Sequence, residues 1–162
     1  MPVGSRTLGC PAVIRDEIKQ GIVLGASGFD PEGEDPFNLP ALAAFFGVLD
    51  VMLKAGVTVV AEAAFQDWLW RPNLEPLKEL ARIRIIRCVV DAKVARDRVA
   101  RRAEHGGHRA AHADQELLRM IALGEYNLDE FGWVSLDLPT LTVDTTAGTS
   151  PPLPEIVNFA TA

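Results

Sequence analysis

Gly56-Val57-Thr58-Val59-Val60-Ala61-Glu62 is the stretch that decides the fold. The glycine closes a helical pattern in which Leu42, Phe45, Phe46, Leu49 and Leu53 recur at three- and four-residue steps, with Asn38 as the expected cap. The run after it is short, β-branched and apolar at both parities. That pattern predicts a strand buried on both faces, as in a parallel sheet.

Working outward, Pro11-Ala12-Val13-Ile14 reads as an earlier strand, and a helix begins at Arg15-Asp16-Glu17 and runs to about Val23. Gly25 to Pro36 is rich in chain breakers and reads as a long loop. Downstream, a helix is expected over 74–81, a strand over 83–90, and from Asp91 a long helix carrying Arg96, Arg98, Arg101 and Arg102. His105-Gly106-Gly107-His108 breaks that helix, and a further helical pattern covers 113–123. Thr140-Leu141-Thr142-Val143 is the last strand, and a closing helix spans 151–159. Strands alternating with helices imply a parallel sheet with right-handed crossovers. A chain of 162 residues fits one α/β domain, 1–162.

Charge and composition narrow the function classes. There are 16 basic and 22 acidic residues, a net charge of −6, and 48% of residues are hydrophobic. No apolar run approaches the roughly 18 residues of a membrane span. The N-terminal stretch lacks a basic start followed by an apolar segment, and Cys10 and Cys88 read as reduced thiols. A soluble, cytoplasmic protein is expected, without membrane partners. Residues 1–81 carry a net charge of −5, residues 82–109 one of +6, and residues 110–162 one of −7. One cationic segment in an acidic chain suggests a small polyanionic ligand and argues against nucleic acid. The plainer alternative is a solvated, salt-bridged helix.

Ligands of open parallel sheets gather beyond the carboxyl ends of the strands. Asp16, Glu62 and Asp144 lie at three such ends. A carboxylate there suits orientation or deprotonation of a substrate hydroxyl; equally, Asp16 suits a helix start, where the dipole favours negative charge. Arg98, Arg101 and Arg102 crowd one helical face, and their guanidinium forks match phosphate oxygens. An Asp97–Arg101 pair is the ordinary reading of part of that cluster. His105, His108 and His112 lack zinc-ligand spacing, so no metal site is expected of them. Phe65, Trp68 and Trp70 either wall an acceptor pocket or belong to core and surface cover.

Three segments together carry a family resemblance. Arg15-Asp16-Glu17-Ile18-Lys19, then Val57 to Phe65, then Val94-Ala95-Arg96-Asp97-Arg98-Val99-Ala100-Arg101-Arg102 resemble, in order, the P-loop small-molecule kinases. These are AAA-family ATPases or AAA-type kinases, similar to zeta toxins and chloramphenicol phosphotransferase. Leu141-Thr142-Val143-Asp144-Thr145-Thr146 resembles their last strand and the loop after it. The resemblance implies a three-layer P-loop NTPase-like domain, a parallel sheet flanked by helices. It also implies ATP- and Mg²⁺-dependent phosphoryl transfer to a small-molecule acceptor. Asp16 would then activate the acceptor hydroxyl and Glu62 would lie near the metal and γ-phosphate. Arg98 and Arg102, with Arg101 as a lesser member, would belong to a helical lid over about 92–126. Asp144, Thr145 and Thr146 would border the adenine.

Two departures from the family pattern stand out. Family members often carry a hydroxyl residue where this chain has Ile14. More importantly, G-x-x-x-x-G-K-[ST] is missing, since none of Lys19, Lys54, Lys78 and Lys93 follows a glycine. Thr7-Leu8-Gly9 resembles only the tail of the helix after a phosphate loop. In these kinases the phosphate-loop strand lies mid-sheet, between the strand ending at Glu62 and the one starting near Ile83. Without it the two strands face each other across a slot. The expectation is an N-terminally incomplete phosphotransferase, inactive alone, with self-association through the open sheet as a further consequence. The alternative is a non-catalytic domain that engages a partner chain or anionic ligand through its basic lid.

Overall fold

The computed structural model describes residues 7–27, 29–30, 35–64, 66–104, 118–120, 123 and 132–162. In order these form β1 (Ala12–Ile14), α1 (Arg15–Gly25), α2 (Asn38–Lys54), β2 (Val60–Glu62), α3 (Asp67–Leu74), a 3₁₀ turn (Glu75–Glu79), β3 (Ile85–Val89), α4 (Ala92–Glu104), β4 (Thr140–Asp144) and α5 (Leu153–Thr161). The protein is α/β, with small sheets among helices. Its chain divides into two compact units, one made of Met1–Val13, Val48–Asp91 and Gly132–Ala162, the other of Ile14–Gly47 and Ala92–Phe131.

The first unit holds the strands. Instead of one sheet, four strands make two pairs, β1 with β2 and β3 with β4. The Val60 N–H donates to the Pro11 carbonyl at 2.9 Å in the first pair. The second pair is parallel over five residues, from Ile85 opposite Thr140 to Val89 opposite Asp144. The Ile85 N–H donates to Pro139 O and the Thr145 N–H to Val89 O. Odd-numbered residues of β3 thus direct their main-chain groups to β4, and Ile86 and Cys88 direct theirs to the other edge. That edge has no strand partner among the described residues, and Ile86 is 39% exposed along it.

The strand expected over 57–61 is therefore shorter and shifted: only Val60–Glu62 is paired, and it is not buried on both faces. Its one neighbour, β1, is three residues long, and a strand extends only as far as its partner does. The helix expected over 74–81 starts earlier, at Asp67, and passes into the 3₁₀ turn at Glu75. Val13, Leu49, Trp70, Leu77, Leu136 and Val143 are buried in this unit.

In the second unit, α1 follows β1 with no loop, because Ile14 is still extended (φ −112°, ψ 115°). Asp16 and Glu17 occupy its first turn, where the helix dipole favours them. Helix α2 keeps the expected periodicity, with Ala41, Leu42 and Phe45 buried. Its start lies one residue earlier than expected: the Phe37 carbonyl accepts from Ala41 N–H at 2.9 Å. Asp35 Oδ1 accepts from Phe37 N–H at 3.2 Å. At the other end Gly56 adopts φ +75°, the left-handed turn that glycine enters without strain. Among the described residues no helix is long and apolar enough to cross a membrane.

Candidate functional site

Helix α1 places Asp16 on its first turn, with a side chain 48% exposed. Beside it Arg15 is largely buried: one terminal nitrogen donates to Asp16 Oδ1 at 3.2 Å, and the other to Asn38 O at 3.2 Å and to Asn38 Oδ1. Asn38, the expected cap of α2, thus spends its side chain on Arg15. Lys19, one turn on, is also buried and pairs with Asp35 Oδ2. Asp16 thus pairs with Arg15, and one turn on Lys19 pairs with Asp35, both pairs lying within the second unit.

On α4, in the same unit, Arg98 is half-buried and Arg101 exposed. Arg101 Nε donates to the Asp97 carbonyl at 3.3 Å, so the expected Asp97–Arg101 neighbourhood forms through the backbone. Arg102 is helical. The remainder of the expected lid, apart from residues 118–120 and 123, lies outside the described residues, as do His105, His108, His112 and Phe65.

The first unit carries the other candidates at strand ends. Glu62 is the exposed last residue of β2. On β3, Cys88 is an exposed free thiol, and Cys10 is free as well. The Cys88 thiol is pushed above its ordinary value, first by removal of water around it and then by the Glu62 carboxylate. The end of β2 is thus within electrostatic reach of β3, although the strands do not pair.

The Asp144–Thr146 turn is tied down firmly. Asp144 and Ser150 exchange backbone bonds at 2.8 and 2.9 Å, closing the loop between them. Thr145 donates to Val89 O from its amide at 2.8 Å and from its hydroxyl at 2.9 Å. Thr146 Oγ1 accepts from Asp91 N–H at 3.0 Å. Asp144 Oδ1 accepts from Thr146 N–H at 2.7 Å. Hydrogen bonds from the side chain and backbone of Thr146 hold the Asp144 carboxyl below its ordinary value. The turn is thus pinned at the carboxyl ends of β3 and β4.

Sequence reading missed one polar cluster. Asp67, at the start of α3, accepts from Ser135 N–H at 2.7 Å and from Ser135 Oγ at 3.0 and 2.9 Å. Arg71 donates to Ser135 Oγ at 3.3 Å, and the Asp67 N–H donates to Gly132 O at 2.9 Å. The Ser135 amide is the main reason the Asp67 carboxyl lies below its ordinary value. Arg87 stacks over the Trp133 ring at 4.6 Å, a contact suited to a guanidinium. Of the aromatics that follow Glu62, Trp70 is core at 3% exposure and Trp68 stands out at 75%. Among the described residues no three His, Cys, Asp or Glu side chains group to hold a metal ion.

No protein-family model and no curated protein matches the chain. A solved structure does: a "putative kinase" from Chloroflexus aurantiacus, with a TM-score of 0.77 and 24% identity, covering 98% of this chain and 86% of that one. The chain therefore shares the α/β fold of that protein.

Proposed function

We propose that this chain is a phosphotransferase domain of the P-loop kinase type, transferring the γ-phosphoryl group of ATP to a small-molecule acceptor. The observation that carries the reading is the likeness to the Chloroflexus kinase-like protein along 98% of the chain. The split sheet supports it: one more strand between β2 and β3 would join both pairs and cover the open edges. These kinases carry their phosphate-loop strand there.

In this reading Asp16 accepts the proton of the acceptor hydroxyl, with Arg15 holding its carboxylate in place. Glu62 supplies an oxygen toward Mg²⁺. A Mg²⁺ ion bound mainly by substrate phosphates needs only one or two protein carboxylates, so an isolated exposed glutamate fits. When bound, ATP and Mg²⁺ supply the transferable phosphoryl group and neutralise its charge. Arg98 and Arg102, with Arg101 as a lesser contributor, neutralise the rest, and the Asp144-Thr145-Thr146 turn borders the adenine. No G-x-x-x-x-G-K-[ST] segment is present in the 162 residues, so affinity for ATP is weak.

Titration of the chain with ATP tests this. The expected result is millimolar binding that Mg²⁺ strengthens and that falls at least fivefold in Arg98→Ala or Arg102→Ala. Arg119→Ala, outside the cationic segment, leaves it unchanged. Absence of saturable binding, or equal small effects at all three positions, overturns the reading and returns the arginines to a solvated face.

A further inference from the structure

Helix α1 buries a stripe that carries charge. Arg15, Lys19 and Val23 recur at four-residue steps and share one face, and Lys19 is only 8% exposed. A buried ammonium needs a counter-charge. Among the described residues that counter-charge is Asp35 Oδ2. Asp35 belongs to no helix or strand: it lies in the stretch leading into α2, and its side chain is 36% exposed. Its other oxygen accepts the Phe37 N–H. One turn back along α1, Arg15 has both terminal nitrogens engaged while its Nε is buried with no partner among the described residues.

We propose that Lys19 is an anion-exchange point: a phosphate-type oxyanion displaces the Asp35 carboxylate from Lys19, takes the Arg15 Nε–H as a second donor, and frees the stretch ahead of α2. Asp35 is then an internal stand-in for the ligand, keeping the ammonium paired while the site is empty. The exchange requires an anion, because a neutral group would leave a buried positive charge uncompensated. A tetrahedral oxyanion suits it better than a second carboxylate, since its extra oxygens serve the ammonium and the guanidinium together. Nothing in this step depends on phosphoryl transfer, so it stands or falls separately from the ATP reading.

The test uses the whole chain titrated with inorganic phosphate at constant ionic strength, with hydrogen exchange followed at the Phe37 amide. Phosphate is expected to bind saturably and to speed that exchange at least fivefold, whereas chloride at matched ionic strength does not. An intramolecular competitor scales apparent affinity down to the fraction of time it leaves the site free. Asp35→Asn, which removes the competing charge, should therefore bind phosphate at least tenfold tighter and exchange quickly without it. Lys19→Met, which keeps the stem and deletes the ammonium, should lose the response altogether. Unchanged affinity in Asp35→Asn, a response that survives Lys19→Met, or an equal response to chloride overturns the proposal. If Asp35→Asn does not fold, the comparison of wild type with Lys19→Met decides it alone.

Discussion

The carbonyl of Val89 accepts two hydrogen bonds from Thr145, one from the amide at 2.8 Å and one from the hydroxyl at 2.9 Å. The last residue of β3 thereby fixes the first turn after β4, and the two strands end together. Thr145→Val keeps the shape and removes only the hydroxyl. Its expected cost is about 1 kcal/mol, the net worth of one neutral hydrogen bond. Urea unfolding of the two proteins checks it.

Asp67 and Asp144 both have carboxyls held below their ordinary value by hydrogen bonds. The unfolded chain therefore binds protons first as pH falls, so these groups stabilise the fold above about pH 4. That contribution disappears as pH drops through the lower, folded values. Asp67→Asn should flatten the acid limb of a stability–pH curve measured between about pH 2 and 5. Ser135→Ala should flatten it less, because the Ser135 amide, which remains, is the main cause of the shift.

Glu62 raises the Cys88 thiol through its charge. Glu62→Gln should lower that thiol toward the free-cysteine value and increase the thiolate fraction at a given pH, since only the thiolate reacts. Alkylation of Cys88 at pH 8 should then be faster than in the wild type, while the shift caused by removal of water around the thiol remains. Equal rates would separate the end of β2 from β3.

Some of these relationships were legible in the sequence and others were not, for physical reasons. Local signals place β1, α1, α2 and β4 to within a residue or two: β-branched runs, helical periodicity, acidic first turns and Gly56. Thr7 and Leu8 are helical and Gly9 turns left-handed at φ +67°, as expected for a helix tail. Helix α3 was hidden by Pro72, a residue that usually breaks helices but here falls near the end of one. The length of β2 depends on the length of its partner, which no local pattern encodes. The bond between Asp67 and Ser135 spans 68 residues, and neither end has a local signature. Arg15 and Lys19 have no local signal of burial, which comes from the packing of α1 against the rest of its unit.

Burial also decides what an ion pair is worth, and two cations show the contrast. Lys54 meets Asp50 at 2.8 Å one turn away, with both side chains well exposed. Such surface pairs contribute only about 0.3–0.5 kcal/mol, so Lys54→Met should change stability by no more than that. Arg15 is 13% exposed and spans Asp16 and both oxygens of Asn38, linking the first turns of α1 and α2. A lysine there keeps the charge but cannot fork to two helices. It also gives up the charged-donor hydrogen bonds to Asn38, worth about 1.5 kcal/mol at that exposed residue. Arg15→Lys should therefore destabilise by several times more than Lys54→Met in the same urea titration. Equal, small losses would mean that the guanidinium does not join the two helices.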